Sequence, residues 1–134
     1  MGPSYDNNQP PSERVVLLEV GGGSGGVDLI GIQLKLAESN YTVCTYDRAG
    51  YGMSDQSTYP QSANNSMDIM IKAMKAVNFP SDDRRVVCIG HSAGGQLCRN
   101  YAKYWKAIKG IILLDSYPVN ILNYYTAEKQ NVNP

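Results

Sequence analysis

Residues 86–95 read VVCIGHSAGG, an apolar run that stops at a serine between glycines and continues into a helix-forming segment. Ser92 is the centre of a G-x-S-x-G pattern whose two glycines are Gly90 and Gly94. Where a strand turns sharply into a helix, this pattern places its serine in a strained backbone conformation, and the small flanking residues let neighbouring backbone pass. We therefore expect Ser92 to lie on a strained turn between a strand and a helix.

A second G-x-S-x-G pattern occurs at residues 22–26, where Ser24 also follows an apolar run. The chain has 13 glycines among 134 residues, and at ordinary serine usage a chance match arises roughly one time in ten. The pattern alone therefore does not choose between Ser24 and Ser92.

Strand-like and helix-like segments alternate along the chain. Short runs rich in β-branched residues and leucine predict four strands, at residues 14–20, 41–46, 85–89 and 108–114. Apolar residues at helical spacing predict three helices between them. The first helix is capped by Asp28, and its apolar side carries Leu29, Ile32 and Leu36. The second helix is capped by Ser66, and its apolar side carries Met67, Met70, Met74 and Val77. The apolar side of the third helix carries Leu97, Tyr101, Tyr104 and Trp105.

This alternation predicts a fold of the α/β class. Right-handed βαβ crossovers give a parallel sheet with helices on both faces, which is a three-layer αβα arrangement. We expect the strand order 2-1-3-4, because that order places the loop at residues 21–26 beside the Ser92 turn, at the switch point where such sheets bind ligands.

Length and composition indicate one domain. A chain of 134 residues buries about two-thirds of the surface that its unfolded form exposes. Residues 14–117 hold the patterned segments, whereas residues 1–13 are polar and proline-rich and are expected to form a flexible arm. Residues 118–134 are poorly patterned and are expected to be a tail or the start of a further half.

Charge and hydropathy argue against several classes of partner. Twelve basic and twelve acidic residues give zero formal net charge, without a basic run to follow a phosphate backbone, so a nucleic acid is not expected as a partner. No run reaches the ~18 apolar residues of a membrane span, and the N-terminus lacks the apolar core of a signal peptide. We therefore expect a cytoplasmic protein, whereas glycosylation sequons at Asn40 and Asn64 favour a secretory compartment.

The three cysteines, Cys44, Cys88 and Cys98, lie inside apolar runs or on a predicted helix. Their odd number and the absence of C-x-x-C spacing argue against a disulfide framework and against a zinc site. We expect reduced thiols in the core and no metal site.

The loop at residues 21–26 permits two nucleotide-binding interpretations. It fits G-x-G-x-x-G between a strand and a helix, and Asp47 follows about 20 residues later, where a ribose-binding acid of an NAD site belongs. Residues 18–25, LEVGGGSG, also resemble the first motif of S-adenosylmethionine methyltransferases. Both interpretations leave residues 47–55 and 90–95 without a role, whereas a serine hydrolase uses all three loops.

From Val15 to about Tyr117 the chain resembles the first half of an α/β-hydrolase, in the branch related to prolyl aminopeptidases, haloperoxidases and epoxide hydrolases. The resemblance rests on three motifs in the family's order and spacing: the glycine-rich residues 21–25, DRAGYGMSD at residues 47–55, and residues 90–95.

The resemblance implies an active site. Of the two serines, Ser92 takes the position of the nucleophile, and the backbone of Gly22, Gly23 and Ala93 takes the position of the oxyanion hole. The substrate would be a small-molecule ester or amide, and no cofactor is implied. Val20 departs from the family's pattern, because many of these enzymes carry a histidine before the glycine-rich loop.

A serine hydroxyl needs a base that accepts its proton and an acid that orients the base. The single histidine, His91, directly precedes Ser92 on the turn, so its side chain should project away from the hydroxyl. Asp115 follows the fourth strand, where a few members of the family carry the acid. The family's histidine comes after a later strand that this sequence does not reach.

We therefore expect the N-terminal portion of a serine hydrolase, weakly active or inactive by itself. The alternative is a non-catalytic binding module that keeps the hydrolase fold. The fourth strand would then be an open edge, available for self-association or for a partner.

Overall fold

The computed structural model describes residues 15–57, 62–79 and 86–118. The strands are β1 (Val15–Glu19), β2 (Thr42–Thr45), β3 (Val86–His91) and β4 (Ile108–Leu114), and the helices are α1 (Ile30–Glu38), α2 (Ala63–Ala76) and α3 (Ala93–Tyr104). A short 3-10 helix, Gly26–Leu29, precedes α1. The arm predicted at residues 1–13, and all but the first residue of the tail predicted at residues 118–134, lie outside the described ranges.

The four strands form one parallel sheet in the order β2-β1-β3-β4, as predicted. Val15 pairs with Thr42 on one side and with Val86 on the other, and Val86 in turn pairs with Ile108. The register of β3 against β4 shifts between Val86 and Val87. The carboxyl ends of the four strands meet at one edge, so the loops that follow β1 and β3 are neighbours.

Helices cover both faces of the sheet, which gives the predicted three layers. Helices α2 and α3 pack on one face, over a core that includes the fully buried Leu17, Met70, Cys88 and Tyr101. Helix α1 packs on the opposite face, against the alternate residues of the same strands. Burial of each large aliphatic side chain contributes about 1.5–3 kcal/mol relative to exposure. Among the described helices, none has the length and apolar character needed to cross a membrane.

Helix α2 begins one turn earlier than the sequence predicts. Ser62 rather than Ser66 is its cap, because the hydroxyl of Ser62 accepts a hydrogen bond from the amide of Asn65 at 3.1 Å. Ser66 lies inside the helix. Both serines fit the capping preference, so the choice between them depended on contacts that the sequence does not show.

The far end of α2 also differs from the prediction. The methionine stripe is buried as predicted, at Met67, Met70 and Met74. Val77, however, is 68% exposed. The helix ends at Ala76, and the chain then turns through a left-handed residue, Asn78 at φ +52°. Val77 therefore follows the last helical residue and leaves the buried stripe.

Two details of α1 and α3 correct the sequence prediction. Asp28 does not cap α1: it lies within the 3-10 helix, and Leu29 precedes α1 without a side-chain hydrogen bond. On α3, Tyr104 is 53% exposed, whereas Tyr101 is buried. Trp105 follows the last residue of α3 with an extended backbone and is buried in the same core as Tyr101, which does not include Tyr104.

The prediction of three reduced cysteines is wrong for two of them. Cys88 on β3 and Cys98 on α3 form a disulfide, with their Cα atoms 5.6 Å apart, and both are fully buried. Helix α3 turns back onto β3 directly after Ser92, and this packing brings together two cysteines that are ten residues apart in sequence. Cys44 is a free thiol. Burial raises its pKa to about 11.

Candidate active site

The parallel pairing of β1 and β3 brings the loops after these strands into contact. The loop after β1, residues 21–26, is called the glycine loop below. A Cβ atom built on Gly22 would lie 3.8 Å from Cβ of Ala93, and one built on Gly21 would lie 3.5 Å from Cβ of Ser92. The structure thus places the predicted oxyanion residues next to the predicted nucleophile.

The turn after β3, residues 90–95, is called the serine turn below, and it holds Ser92 at φ +50° and ψ −119°. Positive φ is strained for a residue that carries a Cβ, at a cost on the order of 1–3 kcal/mol. Two backbone hydrogen bonds hold the turn: the amide of Ser92 donates to the carbonyl of Leu114 at 3.0 Å, and the amide of Gly95 donates to the carbonyl of Ser92 at 3.1 Å. The strained backbone expected at Ser92 is present, and its role as nucleophile stays a prediction.

Gly90 and Gly94 have no room for a side chain. A Cβ on Gly90 would lie 2.6 Å from the carbonyl carbon and oxygen of Gly94, and a Cβ on Gly94 would lie 2.5 Å from the carbonyl oxygen of Val20. These neighbours are backbone atoms, which cannot move aside as the end of a flexible side chain can. The two glycines are therefore required by the close approach of β1, β3 and the first turn of α3.

The competing serine, Ser24, lacks the strained backbone. Among the described residues, the glycine loop makes its left-handed turn at Gly23, with φ +77°, and not at Ser24. The backbone therefore distinguishes the two G-x-S-x-G patterns, which the sequence pattern alone left open.

The start of α3 and the glycine loop together suit an anion. Ala93 is the first residue of α3, and the first amides of a helix have no carbonyl partner within it. The N-terminus of a helix also carries partial positive charge. Gly22 and Gly23 are exposed, and Gly22 lies against Ala93. An oxyanion hole formed by these backbone amides stays a prediction that this geometry supports.

His91 is the last residue of β3 and is half-buried. Its Nδ1 atom lies 3.2 Å from the position of a Cβ built on Gly21, so the ring packs against the start of the glycine loop. This position suits the packing role predicted for His91.

Asp115 directly follows β4, is exposed, and has φ +44°. His91 and Leu114 are partners in the register of β3 and β4, so Ser92 and Asp115 follow neighbouring strands at the same edge of the sheet. The structure brings the candidate acid to the side of the serine turn. The role of Asp115 as the catalytic acid stays a prediction.

Asp47 connects the glycine loop to the loop after β2. Its Oδ1 atom accepts a hydrogen bond from the amide of Gly26 at 2.7 Å, and its Oδ2 atom accepts one from the amide of Met53 at 3.0 Å. The amides of Met53 and Gly26 lower the pKa of the Asp47 carboxyl. Because both oxygens bind backbone amides, Asp47 is not arranged as a ribose-binding acid, and the NAD and S-adenosylmethionine interpretations are not favoured.

A buried cluster of four polar side chains lies at the end of β1. Glu19 is fully buried, and its Oε1 atom accepts hydrogen bonds from the hydroxyls of Tyr46 at 2.5 Å and Tyr101 at 2.9 Å. Its Oε2 atom accepts one from Nη1 of Arg48 at 3.2 Å. Burial raises the pKa of Glu19, whereas the hydrogen bonds from the two tyrosines and the charge of Arg48 oppose that rise.

The sequence patterns predict no role for Glu19 and no chemical role for Arg48. One signal was available, because Glu19 interrupts an otherwise continuous apolar strand. A charge buried in such a strand needs a partner of opposite charge or strong hydrogen bonds. The sequence does not show which basic residue supplies them.

Within the ranges that the structure describes, no group of three or more His, Cys, Asp or Glu side chains is placed to hold a metal ion. A small cavity lies beside α2, and no residue of the serine turn lines it. Its lining residues are Tyr46, Arg48, Ala49, Asn65, Ser66 and Ile69.

Comparisons with known proteins agree with this geometry. A family model described as alpha/beta hydrolase fold matches residues 14–130. The chain is similar to a (Lyso)-N-acylphosphatidylethanolamine lipase from Mus musculus, with 28% identity over 106 residues that cover 78% of this chain and 31% of the lipase. It is also similar to a proline iminopeptidase from Thermoplasma volcanium, with 33% identity over 117 residues that cover 82% of this chain and 38% of the peptidase.

A solved structure shows the same fold. The monoacylglycerol lipase of Paleococcus ferrophilus matches with a TM-score of 0.64 and 18% sequence identity, over 91% of this chain and 49% of the lipase chain. The present chain spans well under half the length of the two curated relatives described above.

Proposed function

Because this chain belongs to the α/β-hydrolase fold family, we propose that it carries the nucleophile and oxyanion hole of a serine hydrolase. In this proposal the hydroxyl oxygen of Ser92 attacks the carbonyl carbon of a small-molecule ester or amide. The C–O or C–N bond of the substrate then breaks, the alcohol or amine leaves with a proton, and the acyl group stays on Ser92 as an acyl-enzyme. The observation that carries the proposal is the backbone of Ser92, at φ +50° between two glycines that admit no Cβ. Strain of this kind persists where the surrounding structure imposes it, and it is concentrated at functional sites.

The chemistry follows from the placement of the backbone around Ser92. As the Ser92 hydroxyl adds to the carbonyl carbon, negative charge develops on the carbonyl oxygen. The amides of Ala93 and Gly22 are proposed to donate to that oxygen. Loss of one such donor costs about 10²–10³ in rate in a serine protease.

The proton of Ser92 is the difficult part of the reaction. His91 packs against Gly21 and is proposed as a packing residue rather than as the base, and Asp115 is proposed only as an acid beside the site. In the proposal Ser92 supplies the nucleophile, and the amides of Gly22 and Ala93 supply the oxyanion hole. None of these groups is a base for the Ser92 hydroxyl. We therefore expect slow turnover by the 134-residue chain.

The substrate class is an ester or amide, because both bonds are cleaved through addition to a carbonyl. The two curated relatives differ in substrate: one is named as a lipase and the other as an iminopeptidase. Choice between these substrates depends on the groups that bind the acyl and leaving portions of the substrate. No cofactor is part of the proposal.

The cytoplasmic location expected from the sequence stays a prediction. The Cys88–Cys98 disulfide weighs against it, because cytosolic proteins seldom keep structural disulfides. The sequons at Asn40 and Asn64 favour the same alternative. Asn40 and Asn64 are both exposed.

The test is labelling of the purified chain with a fluorophosphonate and hydrolysis of p-nitrophenyl acetate. Ser92→Ala should abolish both signals, whereas Ser24→Ala, which changes the other G-x-S-x-G pattern, should leave them intact. We expect turnover near the residual ~10³ to 10⁴-fold acceleration that remains when a protease loses a triad member.

Two results would contradict the proposal. Absence of labelling at Ser92 would favour a non-catalytic binding module. Fast turnover that depends on Ser92 in a demonstrated monomer would mean that a base is present, and His91 or Asp115 would be the first residue to examine.

A further inference from the structure

We propose that Arg48 is a positioning residue that aims the backbone N–H of Gly22 into the oxyanion hole. The inference rests on the proposed function, in which the Gly22 amide is one of the two oxyanion donors. It adds a residue on the loop after β2 to a site otherwise built from the loops after β1 and β3.

The contacts of Arg48 are directed at the start of the glycine loop. Its Nη1 atom donates to the carbonyl oxygen of Val20 at 2.7 Å, and its Nη2 atom donates to the carbonyl oxygen of Gly21 at 2.5 Å. The guanidinium is planar, and its donors have a fixed fork geometry. One side chain therefore fixes two successive carbonyl groups at the point where β1 gives way to the loop.

Fixing the Gly21 carbonyl also fixes the Gly22 amide. The two groups belong to one planar, trans peptide unit, so the C=O and the N–H point in opposite directions. When the carbonyl of Gly21 is held towards Arg48, the N–H of Gly22 must point away from Arg48. Gly22 has Ala93 as a neighbour on the serine turn, and the amide of Ala93 is the other proposed donor.

A Gly-Gly peptide would be free to adopt other orientations without such an anchor. Glycine populates positive and negative φ about equally, and both Gly21 and Gly22 lack a Cβ that would restrict the peptide plane between them. A loop that must present an N–H in one direction therefore needs hydrogen bonds to its carbonyls, and Arg48 supplies them.

The rest of the buried cluster keeps Arg48 in place. Glu19 accepts a hydrogen bond from Arg48 at 3.2 Å and supplies the opposite charge that a guanidinium with 8% exposure requires. The hydroxyls of Tyr46 and Tyr101 hold the carboxylate. Glu19 thus acts on the loop through Arg48. The hydroxyl of Tyr101 donates to Oε1 of Glu19, which also accepts from Tyr46, whereas Arg48 donates to Oε2, so Tyr101 is not needed for the contacts of Arg48.

The experiment compares three variants with the unaltered chain. Arg48→Lys keeps the charge but replaces the fork by a single ammonium. The double variant Glu19→Gln with Arg48→Met removes both charges together, so that no unpaired charge is left buried. Tyr101→Phe is the matched control, because it removes one hydrogen bond from Glu19 and leaves both contacts of Arg48 to the loop.

Two measurements are made on each variant besides its thermal unfolding. The first is the residual dipolar coupling of the Gly22 amide in a ¹⁵N-labelled sample, which reports the direction of that N–H. The second is the rate at which Ser92 is labelled by a fluorophosphonate. Arg48→Lys and the double variant should both change the Gly22 coupling and slow the labelling of Ser92 about ten- to a hundredfold. This slowing is smaller than the rate loss of about 10²–10³ that follows complete removal of one oxyanion donor. Tyr101→Phe should unfold at a lower temperature with the Gly22 coupling and the labelling rate unchanged.

An unchanged Gly22 coupling in Arg48→Lys and in the double variant overturns the proposal, and if the double variant does not fold, Arg48→Lys decides alone. A Gly22 coupling that changes equally in Tyr101→Phe also overturns it, because the effect would then be a general loosening. If the coupling changes as expected but Ser92 of the unaltered chain is never labelled, Arg48 positions the loop and the proposed hydrolase function fails.

Discussion

Ser92 has a strained backbone, and the close packing around it prevents that backbone from relaxing. Its flanking glycines contact the backbone of β1 and of α3 so closely that neither has space for a methyl group. The carbonyl of Leu114 accepts the amide of Ser92, which ties the turn to β4 as well. The strain at one residue is thus maintained by three neighbouring elements.

Gly94→Ala tests this steric requirement. Its Cβ would lie 2.5 Å from the carbonyl oxygen of Val20, so the variant should lose about 3 kcal/mol in the free energy of unfolding. Gly31→Ala is the matched control: a Cβ at Gly31 on α1 meets no atom within 4 Å, and alanine in a helix should gain about 1 kcal/mol over glycine. Urea denaturation measures both. A Gly94→Ala variant as stable as the unaltered chain would mean that β1 and the serine turn are not packed as described.

Asp47 gives a pH dependence of known sign. Its carboxyl has a pKa below the ordinary value of 3.8, because the amides of Met53 and Gly26 donate to the ionised form. A lowered pKa in the folded state means that the ionised carboxylate contributes stability above pH 3.8. That contribution is lost as the pH falls below 3.8 and through the folded-state pKa.

The test of Asp47 is a ¹³C NMR titration of its carboxyl carbon together with unfolding of Asp47→Asn. The midpoint should lie below 3.8, and the variant should be less stable than the unaltered chain at neutral pH, with the difference shrinking in acid. A midpoint at or above 3.8 would show that the amides of Gly26 and Met53 do not bind this carboxylate in solution.

At the residue scale, local chemistry decided what the sequence could predict. The strained turn at Ser92 was predictable, because the need for small residues on both sides is written in the pattern itself. The partners of Glu19 were not, since Arg48 and Tyr101 lie 29 and 82 residues away in sequence. Only the paired sheet brings these residues together.

Among the secondary-structure elements, β3 and α3 behave as one unit built around the serine turn. The strand leads into Ser92, the helix returns over the strand, and the Cys88–Cys98 disulfide closes the pair. The hydrophobic pattern predicted both elements, but it could not distinguish two buried thiols from a disulfide, because both satisfy the same apolar positions. Likewise, the pattern placed α2 correctly and missed its cap, because Ser62 and Ser66 are both suitable residue types.

The Cys88–Cys98 disulfide predicts how many thiols of the chain react. Thiol titration of the chain unfolded without reductant should find one thiol, that of Cys44, and the reduced and unfolded chain should give three. In the folded protein Cys44 should react slowly at pH 8, because its pKa is raised to about 11. Reduction of a loop of this length should cost about 3 kcal/mol in the free energy of unfolding. Three reactive thiols in the unfolded chain without reductant would show that the disulfide does not form.

For the molecule as a whole, the strand order has one consequence at the centre of the sheet and another at the edge formed by β4. The order β2-β1-β3-β4 places the glycine loop and the serine turn at the centre. Alternation of strands and helices predicted the parallel sheet, and the expectation that these two loops meet at the switch point predicted the order. The same order leaves β4 paired only with β3 among the described residues. Ile111, Ile112 and Leu113 on β4 are 39%, 48% and 39% exposed. Successive residues of a strand point to opposite faces, so apolar surface is open on both faces at this edge.

We predict that the 134-residue chain associates with itself through the edge of β4. An exposed strand edge with apolar side chains presents unpaired backbone donors and acceptors that a second strand can pair with. Sedimentation velocity should show a weight-average mass that rises with protein concentration. Ile112→Lys places a charge on this edge and should return the chain to a monomer, because a lysine on an edge strand opposes pairing.

Val27→Lys is the matched control, since Val27 is 71% exposed but lies in the 3-10 helix that contacts β1 and β2, on the other side of the sheet. A chain that stays monomeric at every concentration, or one whose association Val27→Lys abolishes as well, would contradict pairing at β4.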